Sequence, residues 1–215
     1  MLATTSEHIN EPSVSIASVM FNMFPYSSSS LSLNAILLFS TLIFLFAFLL
    51  FPNDNNTAFA ERISGTPGID NLTGTPDDDR ISGSSGNDTL VGLLGNDEID
   101  GGRENDAISG AEGDDYLIGG HSNDTIRGDA GDDEVEANDG DDKISGGAGN
   151  DSLFGGRGRD VINGEDGNDL LFGGPSDDTL SGGKGKDYFN CGLGKDKVVD
   201  LNEAEGDGKS YNCES

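Results

Sequence analysis

The 215-residue chain has no tryptophan, two cysteines, two histidines and six prolines, and its 12 basic residues face 40 acidic ones, a formal net charge of −28. The shortage of lysine and arginine excludes nucleic acid as a partner, because phosphate recognition needs a basic footprint. No H-E-x-x-H, G-x-S-x-G or phosphate-cradling G-x-x-x-x-G-K-[ST] occurs, so no catalytic site is expected. Hydrophobic residues make up 33% of the chain, and many of them lie in one N-terminal block, which leaves little for a conventional core. A chain this acidic and glycine-rich stays unfolded unless a regular repeat lets bound metal do part of the folding.

Residues 1–60 contain no glycine, lysine or arginine, and all 33 glycines and 12 basic residues follow them. Leu31 to Phe51 is almost continuously apolar, and Ala58-Phe59-Ala60 has the small-x-small form that signal peptidases cut behind. Residues 1–60 read as a cleaved export signal, with a mature chain beginning at Glu61, or as a retained N-terminal membrane anchor through residues 31–51. No positive charge precedes the apolar run, so the positive-inside rule gives no orientation. Both readings place the remainder outside the cytoplasm. Removing Glu7, Glu11 and Asp54 with the leader leaves 37 acidic residues against 12 basic ones, a net of −25.

From Gly65 to Val199 the sequence is fifteen nonapeptides in unbroken register, beginning GTPGIDNLT, GTPDDDRIS and GSSGNDTLV and ending GGPSDDTLS, GGKGKDYFN and CGLGKDKVV. The sixth position is always aspartate: Asp70, Asp79, Asp88, Asp97, Asp106, Asp115, Asp124, Asp133, Asp142, Asp151, Asp160, Asp169, Asp178, Asp187 and Asp196. The eighth is always apolar, from Leu72 and Ile81 to Phe189 and Val198. The first is glycine except at Ala137 and Cys191. Glycines at positions one, two and four are expected to allow positive φ and close backbone approach. The aspartate adds a carboxylate to the exposed carbonyls, and an all-oxygen donor set suits calcium. The triplet around the eighth residue reads as a very short strand with one inward side chain.

The pattern resembles the RTX (hemolysin-type) calcium-binding nonapeptide family, written G-G-x-G-x-D-x-U-x with U apolar. The resemblance covers residues 65–199 and implies an all-β, right-handed parallel β-roll solenoid with two nonapeptides per coil. This roll would occupy residues 61–199, after the N-terminal hydrophobic segment and before a cap at 200–215. It also implies that aspartates two units apart, such as Asp70 with Asp88, share one calcium between successive coils, completed by turn carbonyls. All fifteen aspartates are then candidate ligands for up to about 13 ions, with Asp70, Asp79, Asp187 and Asp196 at incomplete end sites. Position four departs from glycine at Asp77, Glu104, Ser122 and Ser176, so units two, five, seven and thirteen are expected to bind less well.

In an exported chain with two cysteines, a Cys191–Cys213 disulfide is the economical reading, beside two free thiols. Glu203, Glu205 and Asp207 read as a solvated acidic loop or one more ion site. The sequons at Asn55, Asn71, Asn87, Asn123 and Asn150 read as glycosylation acceptors or, for the last three, as turn residues at position five. His121 reads as an exposed loop residue. The functional expectation is an exported, non-enzymatic calcium-binding protein with a structural, surface or adhesion role. The alternative is a folding and secretion accessory, or remnant, of a secreted hydrolase or toxin.

Overall fold

The computed structural model describes residues 60–210, 212 and 213; the expected leader, its apolar run and the sequon at Asn55 lie outside them. Within these residues the chain is all strand, with seventeen strands from β1 (Arg62–Ser64) to β17 (Gly208–Lys209). The odd-numbered strands form one nine-stranded sheet and the even-numbered ones a second sheet of eight, every adjacent pair being parallel. Successive strands therefore belong to opposite sheets, and a coil closes every second nonapeptide. This is the parallel β-roll that the repeat implies.

Register follows from the period. Two nonapeptides are 18 residues, so each eighth-position residue meets its equivalent one coil away: Ile63 with Ile81, Ile81 with Ile99, and Leu72 with Leu90. A one-residue slip would turn every one of these side chains outward, so the buried face fixes the pairing. The eighth-position side chains from Ile81 to Val198, together with Ala137 and Cys191, form the core between the sheets. Leu201 and Cys213 close against one end of it and Ile63 and Leu72 against the other.

Two features go beyond the nonapeptide reading. From β4 (Thr89–Leu94) to β15 (Tyr188–Leu193) the strands are six residues long, running from position seven of one unit through position three of the next. The chain also adds a strand at each end. Strand β1 precedes the first unit and pairs with β3 (Arg80–Ser82) in 18-residue register. Strand β17 lies in the expected cap and pairs with β15, Tyr188 opposite Gly208 and Phe189 opposite Lys209. That offset is 20 residues, so the last coil carries a two-residue insertion. The Cys191–Cys213 disulfide joins the last regular unit to the tail across Cα atoms 5.2 Å apart. Among the described residues, the paired strands, the core and the disulfide all fall between Arg62 and Cys213.

Candidate metal centres

The sixth-position aspartates from Asp79 to Asp196 are all buried, at 4% exposure or less. Each projects between the turns of adjacent coils in a fixed arrangement. The backbone N–H of one aspartate donates to Oδ1 of the aspartate 18 residues later, from Asp70 to Asp88 (2.8 Å) through Asp178 to Asp196 (3.0 Å). The same bond recurs at each coil between, for example Asp106 to Asp124 at 2.8 Å and Asp124 to Asp142 at 2.7 Å. This ladder orients every carboxylate from Asp88 to Asp196 and uses one of its two oxygens.

The second oxygen divides the aspartates into two groups. In the thirteen from Asp88 to Asp196, Oδ2 is buried with no hydrogen-bond partner. A buried anionic oxygen without a donor or cation is strongly unfavourable. In Asp70 and Asp79, by contrast, Oδ2 is satisfied by threonine. Thr66 donates to Asp70 through its backbone N–H (2.6 Å) and hydroxyl (2.9 Å), and Thr75 donates to Asp79 through the same two groups (2.5 and 3.0 Å). Thr66 and Thr75 stand at position two, where later units place glycine or a residue such as Ser84 or Asn138 at positive φ. Neither threonine has positive φ, as β-branching disfavours that region. Their turns instead bring an N–H and a hydroxyl onto the carboxylate.

The first-position glycine meets one of the two expectations. It does not take positive φ, but its smallness permits the close backbone approach. A Cβ on Gly83 would lie 2.5 Å from Asp88 Oδ2 and 2.6 Å from the carbonyl oxygen of Gly101 one coil on. The equivalent distances at Gly101 are 2.5 Å to Asp106 Oδ2 and 2.7 Å to Gly119 O. The orphaned carboxylate oxygen and a backbone carbonyl thus converge on a space that glycine leaves open in thirteen units and that Ala137 and Cys191 narrow in the other two. Within the nonapeptides positive φ is confined to positions two and four, and at position four Glu104, Ser122 and Ser176 adopt it despite their side chains (69°, 78° and 109°). Units five, seven and thirteen therefore keep the turn shape of their glycine-bearing neighbours.

Burial sets the electrostatics. It pushes the carboxyls of Asp115, Asp124, Asp169 and Asp178 up to about 7 and those of Asp106, Asp133, Asp142, Asp151 and Asp160 up to about 6. The incoming N–H opposes the rise and neighbouring carboxylates add to it. Asp79 goes the other way: burial pushes it up, but donations from Glu61 and Thr75 outweigh that and hold it below the usual range. No three carboxylate, histidine or cysteine side chains converge on one point among the described residues. Any ion must therefore draw on carbonyls as well as carboxylates. Hard oxygens of both kinds, one of them buried and uncompensated, fit calcium. When bound, that ion supplies the positive charge the buried carboxylates lack.

Sequence reading missed a second ladder. Position five is asparagine or aspartate in eleven of fifteen units, and each of the eleven accepts the position-five N–H of the next coil, from Asn96 to Asp78 (2.8 Å) to Lys195 to Asp177 (2.8 Å). It runs in the opposite sense to the sixth-position ladder, so the two clamp each turn from both sides. The side-chain carbonyls of Asn87, Asn123 and Asn150 are all engaged in it. In the tail, Asp207 stands in for a sixth-position aspartate. Its Oδ1 accepts Asp187 N–H (3.0 Å) while its Oδ2 accepts Asn202 N–H (2.7 Å). Asp200 caps the same column, accepting from Ser181 and from Gly182 and Gly183, which open the Asp187 unit, at 2.7–2.9 Å. Of the three tail acids, Asp207 is thus part of the roll.

No curated protein matches the chain. The family model for the RTX calcium-binding nonapeptide repeat (4 copies) matches residues 64–99, 100–135, 128–162, 136–171 and 163–198. Together these matches span the two aspartate columns and the core they enclose, and the chain belongs to the RTX calcium-binding nonapeptide repeat family.

Proposed function

We propose that the thirteen aspartates from Asp88 to Asp196 hold the calcium of this repeat domain, and that the protein is exported and serves outside the cell as a calcium-folded structural or adhesive element without catalytic activity. The observation that carries the reading is the column of orphaned Oδ2 atoms. Each aspartate presents one buried anionic oxygen, and the glycine beside it leaves room for a cation. Asp70 and Asp79 have protein donors on the equivalent oxygen and need no ion there. Two oppositely directed hydrogen-bond ladders orient the ligands, so the protein contributes position and the metal contributes charge. The disulfide and the apolar segment with its small-x-small triplet support an extracellular setting. The repeat accounts for the sixth-position carboxylates as ligands. Calcium modules outside cells bind at about 10⁻⁴–10⁻³ M, so the roll would form on export.

Native mass spectrometry of the calcium-loaded chain tests this. Asp115→Asn should lower the ion count, and Asp70→Asn should leave it unchanged. Equal losses from both variants would show that the orphaned oxygens do not mark the ligands.

A further inference from the structure

Among the described residues, the first backbone atom engaged by the fold is the nitrogen of Glu61. It donates to Asp79 Oδ1 at 2.5 Å, in the place where every later aspartate receives the N–H of an aspartate one coil upstream. The Glu61 carbonyl accepts Arg80 N–H at 2.9 Å, and strand β1 begins at the next residue. Ala60, just before it, is exposed and outside any strand. Asp79 is 4% exposed, and with the two donations from Thr75 both its oxygens are satisfied. Those donors are neutral groups, so the buried negative charge itself has no counter-ion among them. Arg80 turns to Glu98 instead. In the later coils this is the charge that calcium would offset.

The sequence places Ala58-Phe59-Ala60 immediately before that nitrogen. Hydrolysis of the Ala60–Glu61 peptide adds water across the bond. Ala60 leaves as a carboxylate, and the nitrogen of Glu61 becomes an α-ammonium, positively charged at neutral pH. The atom that already donates to Asp79 would keep its bond and gain a full positive charge, and charge-assisted hydrogen bonds are roughly twice as strong as neutral ones. A cut one residue earlier would leave the charge a residue away from the carboxylate. A cut one residue later would remove both the N–H on Asp79 and the carbonyl that holds Arg80.

We infer that Glu61 is a processing-generated cap: cleavage after Ala60 creates an α-ammonium that acts as the counter-ion of Asp79 and closes the first coil in place of calcium. The inference rests on the reading of residues 1–60 as a removed export signal and of the roll as calcium-folded. It makes the cleavage a folding event as well as a release from the leader.

The test compares three forms of the folded unit: a chain beginning at Glu61, the same chain acetylated on its α-amine, and a chain beginning at Ala58. Calcium titrations followed by far-UV circular dichroism should give the Glu61 chain a midpoint about fivefold lower than the other two. In an Asp79→Asn background all three midpoints should coincide. Equal midpoints in the natural sequence overturn the inference, as does a difference that survives Asp79→Asn. Acetylation that leaves the midpoint unmoved overturns it without recourse to the variant. Mass spectrometry of the exported protein should find Glu61 at its terminus, and any other first residue also overturns it. A complete lack of response to calcium in all three chains is a separate result, and it would sink the calcium-folding reading and this inference with it.

Discussion

At the residue scale the demands on each position of the nonapeptide are separable. The first residue must be small, because its Cβ would collide with the aspartate oxygen and the facing carbonyl. Gly101→Ala puts a methyl group into that space, 2.5 Å from Asp106 Oδ2. It should weaken calcium binding at that site and destabilise the calcium-loaded roll by about 1–3 kcal/mol, as overpacking does. A calcium titration beside thermal melting would read both, and an unchanged affinity would argue against the cradle. Ala137 is a natural instance of the same change, so Ala137→Gly should tighten calcium binding in the unit of Asp142. In eleven of the fifteen units the fifth residue supplies a side-chain oxygen as acceptor. Asn123→Ala removes the acceptor of Asp141 N–H and should cost about 1 kcal/mol, whereas Asn123→Asp should cost little. Equal melting temperatures for the two variants would show that the fifth-position ladder contributes nothing.

At the scale of the element, a strand with its turn holds one buried carboxylate, and the pH response follows from how burial acts on that group. In the metal-free roll the carboxyls of Asp115, Asp124, Asp169 and Asp178 are pushed up to about 7, while in an unfolded chain they titrate near about 3.9. The folded form therefore binds more protons than the unfolded form through that interval, and its stability falls as pH rises from about 4 to about 7. Any β-structure that survives in chelator should accordingly increase on acidification. Calcium reverses the trend, because the ion must displace those same protons, so its affinity should weaken as pH drops below about 7. Circular dichroism in chelator and a calcium titration at two pH values check the two signs independently. A metal-free β signal that grows with pH would contradict the burial of these groups. At the C-terminal end, the disulfide ties position one of the last unit to a tail 22 residues away. Reducing it should cost about 3 kcal/mol and loosen that coil first, seen as faster amide exchange around β15 and β17 than at mid-roll.

For the whole molecule, what was legible in the sequence depended on whether structural periodicity and sequence periodicity coincide. The sheets, the core and both aspartate columns follow from a nine-residue repeat, because strand pairing at 18 residues is that repeat doubled. The ends were hidden for two physical reasons. Strand β1 keeps the register, and Arg62-Ile63-Ser64 even repeats as Arg80-Ile81-Ser82, but no glycine or sixth-position aspartate precedes it in the sequence to make a unit recognisable. Strand β17 has its turn, but Asp207 falls two residues out of step. The role of Thr66 and Thr75 was hidden because it lies in a backbone conformation those residues avoid rather than in a ligand they provide. A roll of this kind is held together coil to coil, so its stability is a sum over neighbouring interfaces, and each interface between Asp88 and Asp196 carries the same uncompensated oxygen. Without cations those interfaces repel together, in a unit whose net charge is −25 by residue count. Thirteen divalent ions would bring +26. Folding should therefore be absent in chelator at neutral pH and cooperative in calcium, with the β signal of circular dichroism rising steeply over a narrow concentration range. Magnesium should not replace calcium, since it demands near-octahedral geometry and gives up water reluctantly, which a site built from fixed carbonyls cannot accommodate. A roll that is fully folded in chelator at neutral pH would mean that the buried carboxylates are stabilised by something other than metal. A gradual, non-cooperative rise would mean that the coils fold one by one, and that the two hydrogen-bond ladders do not couple them.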